Sequence, residues 1–188
     1  QASSQGSVVS TLAETFTVRS IDGSTSTVVI TISGTNDVAV ISSGTGSVSE
    51  DVGVVGGNIT TGGTLTIADG DAGEAAFQAQ AATAGAYGTF TLAANGTWSY
   101  SASNSNAAVQ ALGTGDTLTE SFTVTSVDGS TSTVVVTING TNDAAVISSG
   151  TGTVTEDVGV VGGNITTGGT LTIADGDVGQ ASFQAQAS

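Results

Sequence analysis

Hydrophobic and polar residues alternate along most of this chain in short runs rich in valine, isoleucine and threonine. Glycine, asparagine, aspartate and serine separate the runs, and this combination is typical of β-strands joined by tight turns. Within residues 38–143 the pattern predicts seven strands, at 38–49, 64–68, 75–80, 87–93, 97–102, 118–127 and 131–139, with a short helical turn over 106–112. We therefore expect an all-β fold in which seven antiparallel strands form a β-sandwich.

The hydrophobic residues that recur at every second position of these runs identify the expected core. Seven strands in a unit of this length match the size of an immunoglobulin-like sandwich. Trp98 and Tyr100 could instead form a platform for carbohydrate, but their alternation with polar residues favours burial. The predicted core is Leu65, Ile67, Phe77, Phe90, Leu92, Trp98, Tyr100, Phe122, Val124, Val134, Val136 and Ile138.

A long internal repeat sets the organisation of the chain. Residues 14–80 return as residues 120–186, with 56 of 67 positions identical. A period of this length indicates whole domains joined head to tail, because the units of solenoids are shorter. We predict a complete repeat at 38–143, the C-terminal part of a preceding repeat at 1–37 and the N-terminal part of a following repeat at 144–188, although residues 1–10 depart from the repeat.

The charge of the chain is strongly one-sided, with one cation, Arg19, against 16 acidic residues and a net charge of −15. Such a surface repels nucleic acid and anionic membranes, and it attracts cations. The chain has no cysteine, so thiol chemistry is excluded. It also has no apolar run of the roughly 18 residues that a membrane span needs, and we expect no membrane insertion.

The residue types that most enzymes use are missing. There is no histidine, cysteine or lysine, and the single arginine lies outside the complete repeat. General bases, thiol nucleophiles and oxyanion clamps of the usual kinds are therefore unavailable. Paired carboxylates remain, but a repeated sandwich offers them no obvious cleft, and we expect no enzyme.

The acidic residues are expected to gather at the two ends of the sandwich, its upper and lower poles. Odd strands run toward the lower pole and even strands toward the upper pole, so strand ends can be assigned in turn. A following repeat that stacks below would add its own upper residues to the lower cluster. The predicted lower residues are Glu50, Asp51, Asn142 and Asp143, met by Asp175 and Asp177 of the next repeat; the upper ones are Asp69, Asp71 and Asp128, with Asn36 and Asp37 in the preceding linker.

Clustered carboxylates repel unless a cation neutralises them, and Ca²⁺ takes about six to eight oxygen ligands. We therefore predict Ca²⁺ at the joints between repeats. The alternative is that Asp-Gly and Asn-Asp only favour turns. The loop from Asp69 to Glu74 begins like an EF-hand but lacks its fifth and twelfth ligands, and Gln180 replaces Glu74 in the second copy, so an EF-hand is rejected.

Several motifs together resemble the VCBS repeats of very large secreted bacterial adhesins, whose domains are similar to cadherin or bacterial immunoglobulin-like modules. The resemblance implies a calcium-stiffened array outside the bacterial cell. The chain differs from the family at Val38 and Ala144, where a proline usually follows Asn-Asp. The motifs are Glu50-Asp51, the segment from Leu65 to Asp71, Tyr87-Gly88-Thr89, Gly96 with Trp98 and Tyr100, Asp128-Gly129 and Gly140-Thr-Asn142-Asp143.

Three functions are consistent with these observations. The first is a structural extender that stacks on neighbouring repeats and projects a distal binding domain. The second is a filament subunit, in which segment 144–188 of one copy is completed by segment 1–37 of another. The third is a module that itself binds a glycan or a protein.

Overall fold

The computed structural model describes residues 11–186, and every regular element in that range is a β-strand. The prediction of an all-β fold is confirmed. The strands are β1 Thr11–Arg19, β2 Thr25–Ser33, β3 Val40–Ile41, β4 Gly44–Ser49, β5 Asn58–Thr64, β6 Ile67–Ala68, β7 Gln80–Ala84, β8 Gly88–Leu92, β9 Thr97–Ser103, β10 Thr117–Thr125, β11 Thr131–Asn139, β12 Val146–Ile147 and β13 Ile173–Ala174.

Two sheets form the sandwich, in the orders β10-β11-β4 and β5-β9-β8-β7. A two-residue ladder joins β3 to β6, and a single bridge joins Phe77 to Ser126. Every predicted core residue is buried except Ile67, which is partly buried. Trp98 and Tyr100 are 3% and 0% exposed, so the carbohydrate platform is wrong. Residues absent from the prediction, Val48, Ile59, Ala102, Val109 and Leu112, complete the core.

One pairing departs from the antiparallel prediction, because β4 and β11 are parallel. Both run toward the lower pole, as odd-numbered strands of the prediction should. The predicted first strand is also divided, since β3 pairs with β6 while β4 joins the other sheet. The chain therefore enters the repeat at the upper pole and leaves it at the lower pole.

The predicted strand at 64–68 is wrong in extent, because it covers the last residue of β5, Asn58–Thr64, and the two-residue strand β6, Ile67–Ala68, and it misses the rest of β5. The sequence of β5 contains Gly62 and Gly63, which suggested a turn. Their lack of side chains is required by Trp98: a Cβ on Gly63 would lie 3.1 Å from the indole, and one on Gly62 would lie 2.6 Å from the Trp98 carbonyl oxygen. These glycines mark close packing between strands rather than a change of direction.

The strand expected at 75–80 is wrong in extent, since it contributes the Phe77 bridge and regular pairing begins at Gln80 in β7. The short helical turn expected within 106–112 is present, since the Gln110 N–H donates to the Asn106 carbonyl at 2.9 Å, and it does not extend into a helix. This segment buries Val109 and Leu112.

The flanking segments repeat the local pairings of the complete repeat. Phe16 lies opposite Val28 in β1 and β2, as Phe122 lies opposite Val134 in β10 and β11. The strands β12 and β13 likewise repeat the ladder of β3 and β6. The boundaries 1–37, 38–143 and 144–188 stay a prediction, and the departure of residues 1–10 from the repeat lies outside the described residues.

Candidate metal centres

At the upper pole, a linker aspartate is held against the loop that follows β6. The Asp37 N–H donates to Asp71 Oδ2 at 2.7 Å, and the Asp71 N–H donates to Asp69 Oδ1 at 2.8 Å. A Cβ on Gly70 would lie 2.5 Å from Asp37 Oδ2, so only glycine lets the linker approach this closely. Three predicted ligands, from the linker and from this loop, therefore meet at the upper pole.

Glu74 adds a third carboxylate from the same loop. Carboxylate oxygens of Asp69, Asp71 and Glu74 all lie within 4.8 Å of one another. Asp69 Oδ2 and Glu74 Oε2 are buried and have no hydrogen-bond partner among the described residues. Ligand oxygens bound to one Ca²⁺ at about 2.3–2.6 Å lie no more than about 5 Å apart. This cluster can therefore hold a metal ion.

Asp128 stands apart from the other predicted upper ligands because protein donors already use its oxygens. Its carboxylate accepts from the Ala39 N–H at 2.9 Å and from the Ser130 N–H and hydroxyl at 3.0 and 2.6 Å; the Ser126 hydroxyl also donates to it. Burial opposes ionisation, but the hydrogen bonds from Ser126, Ser130 and Ala39 outweigh it and hold the pKa of Asp128 well below its usual value. A carboxylate has about four acceptor positions, so none is left open. Through the Ala39 N–H, Asp128 connects the start of β3 to the turn between β10 and β11.

At the lower pole, Glu50 directly follows β4 and is fully buried. Its Oε1 accepts from the Thr141 N–H at 2.8 Å, whereas Oε2 has no hydrogen-bond partner in the part of the chain that the structure describes. Burial raises the pKa of Glu50; the Thr141 hydrogen bond opposes this rise, and the charges of Asp143, Asp51 and Asp177 add to it. An unpaired buried carboxylate destabilises the joint unless a cation or a proton reaches it.

Asp51 lies beside Glu50 in a left-handed backbone conformation, with φ of 57°. Asn104 fixes it from both sides, since the Asp51 N–H donates to Asn104 Oδ1 at 2.9 Å and Asn104 Nδ2 donates to Asp51 Oδ1 at 2.6 Å. The Asn104 hydrogen bond lowers the pKa of Asp51. Asn104 therefore holds the Asp51 carboxylate in place at the lower pole.

The following repeat brings its own acids to this pole. The Asp143 N–H donates to Asp177 Oδ2 at 3.1 Å, and the Asp177 N–H donates to Asp175 Oδ1 at 2.9 Å. Asp177 is 2% exposed, and within residues 11–186 its Oδ1 has no hydrogen-bond partner. Burial raises the pKa of Asp143, and the charges of Asp51, Asp177 and Asp175 reinforce the rise. The two repeats also touch through the Val178 N–H, which donates to the Ala111 carbonyl at 3.2 Å.

The structure thus places most of the predicted residues in two clusters. Glu50, Asp51, Asp143, Asp175 and Asp177 gather at the joint between the complete repeat and the next one, while Asp37, Asp69 and Asp71 gather at the upper pole. Asn36 and Asn142 are exposed, and each donates through Nδ2 to the carbonyl of the following aspartate at 2.7 Å. Arg19 lies in the first hairpin, so neither cluster has a basic partner. Their metal-binding role stays a prediction.

Glu74 is the residue that sequence reasoning dismissed. The EF-hand is rejected partly because Gln180 replaces Glu74 in the second copy. The signal available in the sequence is the position of Glu74 three residues after Asp71. In the structure, a hydrogen bond from the Glu74 N–H to the Asp71 carbonyl at 3.3 Å closes this turn.

The described residues define a class of protein, namely a β-sandwich within a repeated sequence, with carboxylates gathered in the loops at both poles. Residues 36–140 match the bacterial cadherin-like domain. This match covers more than half of the chain, and the protein belongs to the bacterial cadherin-like family, which is non-catalytic and typical of surface proteins. No curated protein matches the chain. Residues 11–186 contain no helix long and apolar enough to cross a membrane.

Proposed function

We propose that the chain is a structural extender of a VCBS-type bacterial surface adhesin, in which Ca²⁺ stiffens the joints between stacked repeats and a distal binding domain is held away from the cell. The observation that carries the proposal is the joint itself. Glu50 of one repeat and Asp177 of the next are both buried, and each has an oxygen without a hydrogen-bond partner among the described residues. Neighbouring repeats of the same chain are the direct partners.

The carboxylates available to a cation at this joint are those of Glu50, Asp51, Asp143, Asp175 and Asp177. They come from three successive parts of the array: the lower pole of one repeat, the linker and the upper loop of the next. A bound Ca²⁺ would supply positive charge where these carboxylates repel one another, and it would tie the three parts together. The joint would then keep one angle, and the array would stay extended.

The direction of the chain through each repeat suits this role. The chain enters at the upper pole and leaves at the lower pole, so successive repeats continue in one direction. Strands of nine residues such as β10 and β11 span about 30 Å at roughly 3.3 Å per residue. Each repeat therefore adds a few nanometres of reach.

Calcium titration calorimetry and small-angle X-ray scattering of this chain test the proposal. We expect heat of binding, and a scattering profile that changes from flexible with chelator to rod-like with Ca²⁺. Asp177→Asn should abolish this stiffening, whereas Glu156→Gln should leave it intact because Glu156 is exposed and is not one of the carboxylates of the joint. If the chain binds no Ca²⁺ and its profile does not change, the clustered acids only form turns.

A filament subunit is the second candidate, because both flanking segments expose apolar residues. Phe16 is 49% exposed and Phe183 is 50% exposed. A pair made from segments 1–37 and 144–188 would lack counterparts of β8 and β9, which supply Phe90, Trp98 and Tyr100 to the core. This missing layer makes the extender the better-supported function. Concentration-dependent polymers that disappear when β1 and β2 are deleted would favour the filament instead.

A further inference from the structure

Two corresponding loops, at 69–74 and 175–180, differ at only two of six positions. Ala72 becomes Val178, and Glu74 becomes Gln180. The first change is between exposed apolar side chains. The second replaces a carboxylate with a carboxamide, which changes both the charge of the loop and its hydrogen-bonding capacity.

In the first loop the glutamate has a buried carboxylate oxygen that a cation would neutralise. Glu74 is 6% exposed, and its Oε2 has no hydrogen-bond partner among the described residues. One of its carboxylate oxygens lies within 4.8 Å of oxygens of Asp69 and Asp71. An unpaired buried polar atom of this kind requires a partner that the protein does not supply. The same loop also holds Asp69 Oδ2, a second buried oxygen without a partner in residues 11–186.

In the second loop the glutamine supplies a donor from within the protein. Gln180 Nε2 donates to Asp177 Oδ2 at 2.8 Å, and the same oxygen accepts from the Asp143 N–H at 3.1 Å. A Cβ on Gly113, in the complete repeat, would lie 3.0 Å from Gln180 Nε2. The glutamine therefore lies against the preceding repeat and supports the joint with a hydrogen bond that needs no metal.

We propose that this position, glutamate in one repeat and glutamine in the next, sets how far each joint depends on calcium. The inference rests on the function proposed above. Glutamate adds a charged ligand and raises the affinity of its loop for Ca²⁺, because affinity in oxygen sites rises with ligand charge. Glutamine lowers the affinity but holds Asp177 in place through its amide. An array of such repeats would have joints that loosen at different calcium concentrations.

Reciprocal substitutions test this inference in the whole chain. We expect Glu74→Gln to weaken Ca²⁺ binding at the first loop by about tenfold or more, and Gln180→Glu to strengthen it at the second by a similar factor. Calorimetry with CaCl₂ gives the affinities, and the backbone amide signals of Gly70 and Gly176 assign them to the two loops. Ala72→Val and Val178→Ala, at the other differing position, are the matched controls and should change neither affinity.

A second measurement is made with chelator and no calcium. Gln180→Glu should then speed proteolytic cleavage of the linker at 140–145, because the amide donor to Asp177 is lost, whereas Val178→Ala should not. Fluorescence of the single tryptophan, Trp98, verifies that each variant keeps the complete repeat folded. If the chain binds Ca²⁺ but both reciprocal variants titrate like the parent, this inference is overturned while the extender function stands. Absence of any calcium binding would overturn both.

Discussion

The first hairpin, β1 and β2, and the last hairpin of the complete repeat, β10 and β11, have nearly the same sequence and register but different surroundings. Phe16 is 49% exposed, whereas Phe122 is 4% exposed and stacks on Phe90 with ring centroids 4.8 Å apart. Local sequence is thus sufficient to pair two strands, but burial requires the facing sheet. Many residues of this chain occur once inside a complete repeat and once outside it, so each pair supplies its own control.

The largest expected difference concerns the aromatic core. Phe122→Ala should lower the free energy of unfolding by about 3–5 kcal/mol, because it leaves a cavity among Phe90, Tyr100 and the facing strands. Phe16→Ala, at the corresponding position of the first hairpin, should change it by less than about 0.5 kcal/mol. Urea unfolding followed by Trp98 fluorescence measures both. Equal losses would mean that β1 and β2 are covered in solution.

The next largest expected effect concerns the glycines of β5. Gly62→Ala should cost about 1–3 kcal/mol, because its Cβ would lie 2.6 Å from the backbone carbonyl oxygen of Trp98, which cannot move aside. Gly168→Ala is the control, since a Cβ there meets nothing within 4 Å. Thermal unfolding with the same fluorescence signal distinguishes them. A neutral Gly62→Ala would show that β5 and β9 can separate at little cost.

Substitutions of two aspartates in equivalent turns should differ by less in their effect on the free energy of unfolding. Asp128 accepts a hydrogen bond from the Ala39 N–H in addition to those of its own turn, whereas Asp22 is fully exposed and lacks that donor within the described residues. Asp128→Asn should cost about 1 kcal/mol near neutral pH, since it weakens these charged bonds. Asp22→Asn should have no measurable effect.

The pH dependence of Asp128 has a definite sign. Its pKa is lowered from the ordinary 3.8. The ionised form therefore adds stability above 3.8, and this contribution is lost as the pH falls through the lower pKa of the folded state. Acid unfolding curves should show that Asp128→Asn removes part of this loss. Identical pH profiles for the parent and the variant would contradict the hydrogen-bonded role of Asp128.

The smallest expected effect concerns Glu50 and its exposed counterpart Glu156. The pKa of Glu50 is raised from 4.5, so in chelator its ionisation should loosen the joint as the pH rises past 4.5 toward the raised value. Glu50→Gln should remove this dependence, and Glu156→Gln should not. Small-angle scattering across pH measures it. A joint equally stiff at all pH values in chelator would show that the Glu50 charge is already neutralised.

Much of the fold could be predicted because alternation and turn residues carry local information. The predicted strand at 131–139 has the same limits as β11. The alternating direction of the predicted strands was enough to place the strand ends at the two poles. The strand β5 was missed because its glycines are explained only by the Trp98 ring, which lies far away in sequence. The predicted first strand is divided between two sheets because β4 pairs with the free edge of β11 while β3 pairs with β6. No local sequence pattern shows which sheet edge is free.

The acidic residues show the same limit. Strand direction was enough to predict that Asp177 would meet the lower pole of the preceding repeat. It could not indicate that Asp128 would have its oxygens occupied by Ser126, Ser130 and Ala39. Nor could it separate Glu74 from Gln180, whose importance depends on burial and on one amide hydrogen bond to Asp177 within the loop that lies at the joint.

The parallel pairing of β4 with β11 has a mechanical consequence. The linkers leave the repeat at opposite poles, so tension along an array pulls β4 upward and β11 downward. Six paired positions, from Val134 with Gly44 to Asn139 with Ser49, are then loaded in shear at the same time. Hydrogen bonds loaded together resist a force that would open them easily one by one. The complete repeat is therefore connected to resist a force applied along the chain.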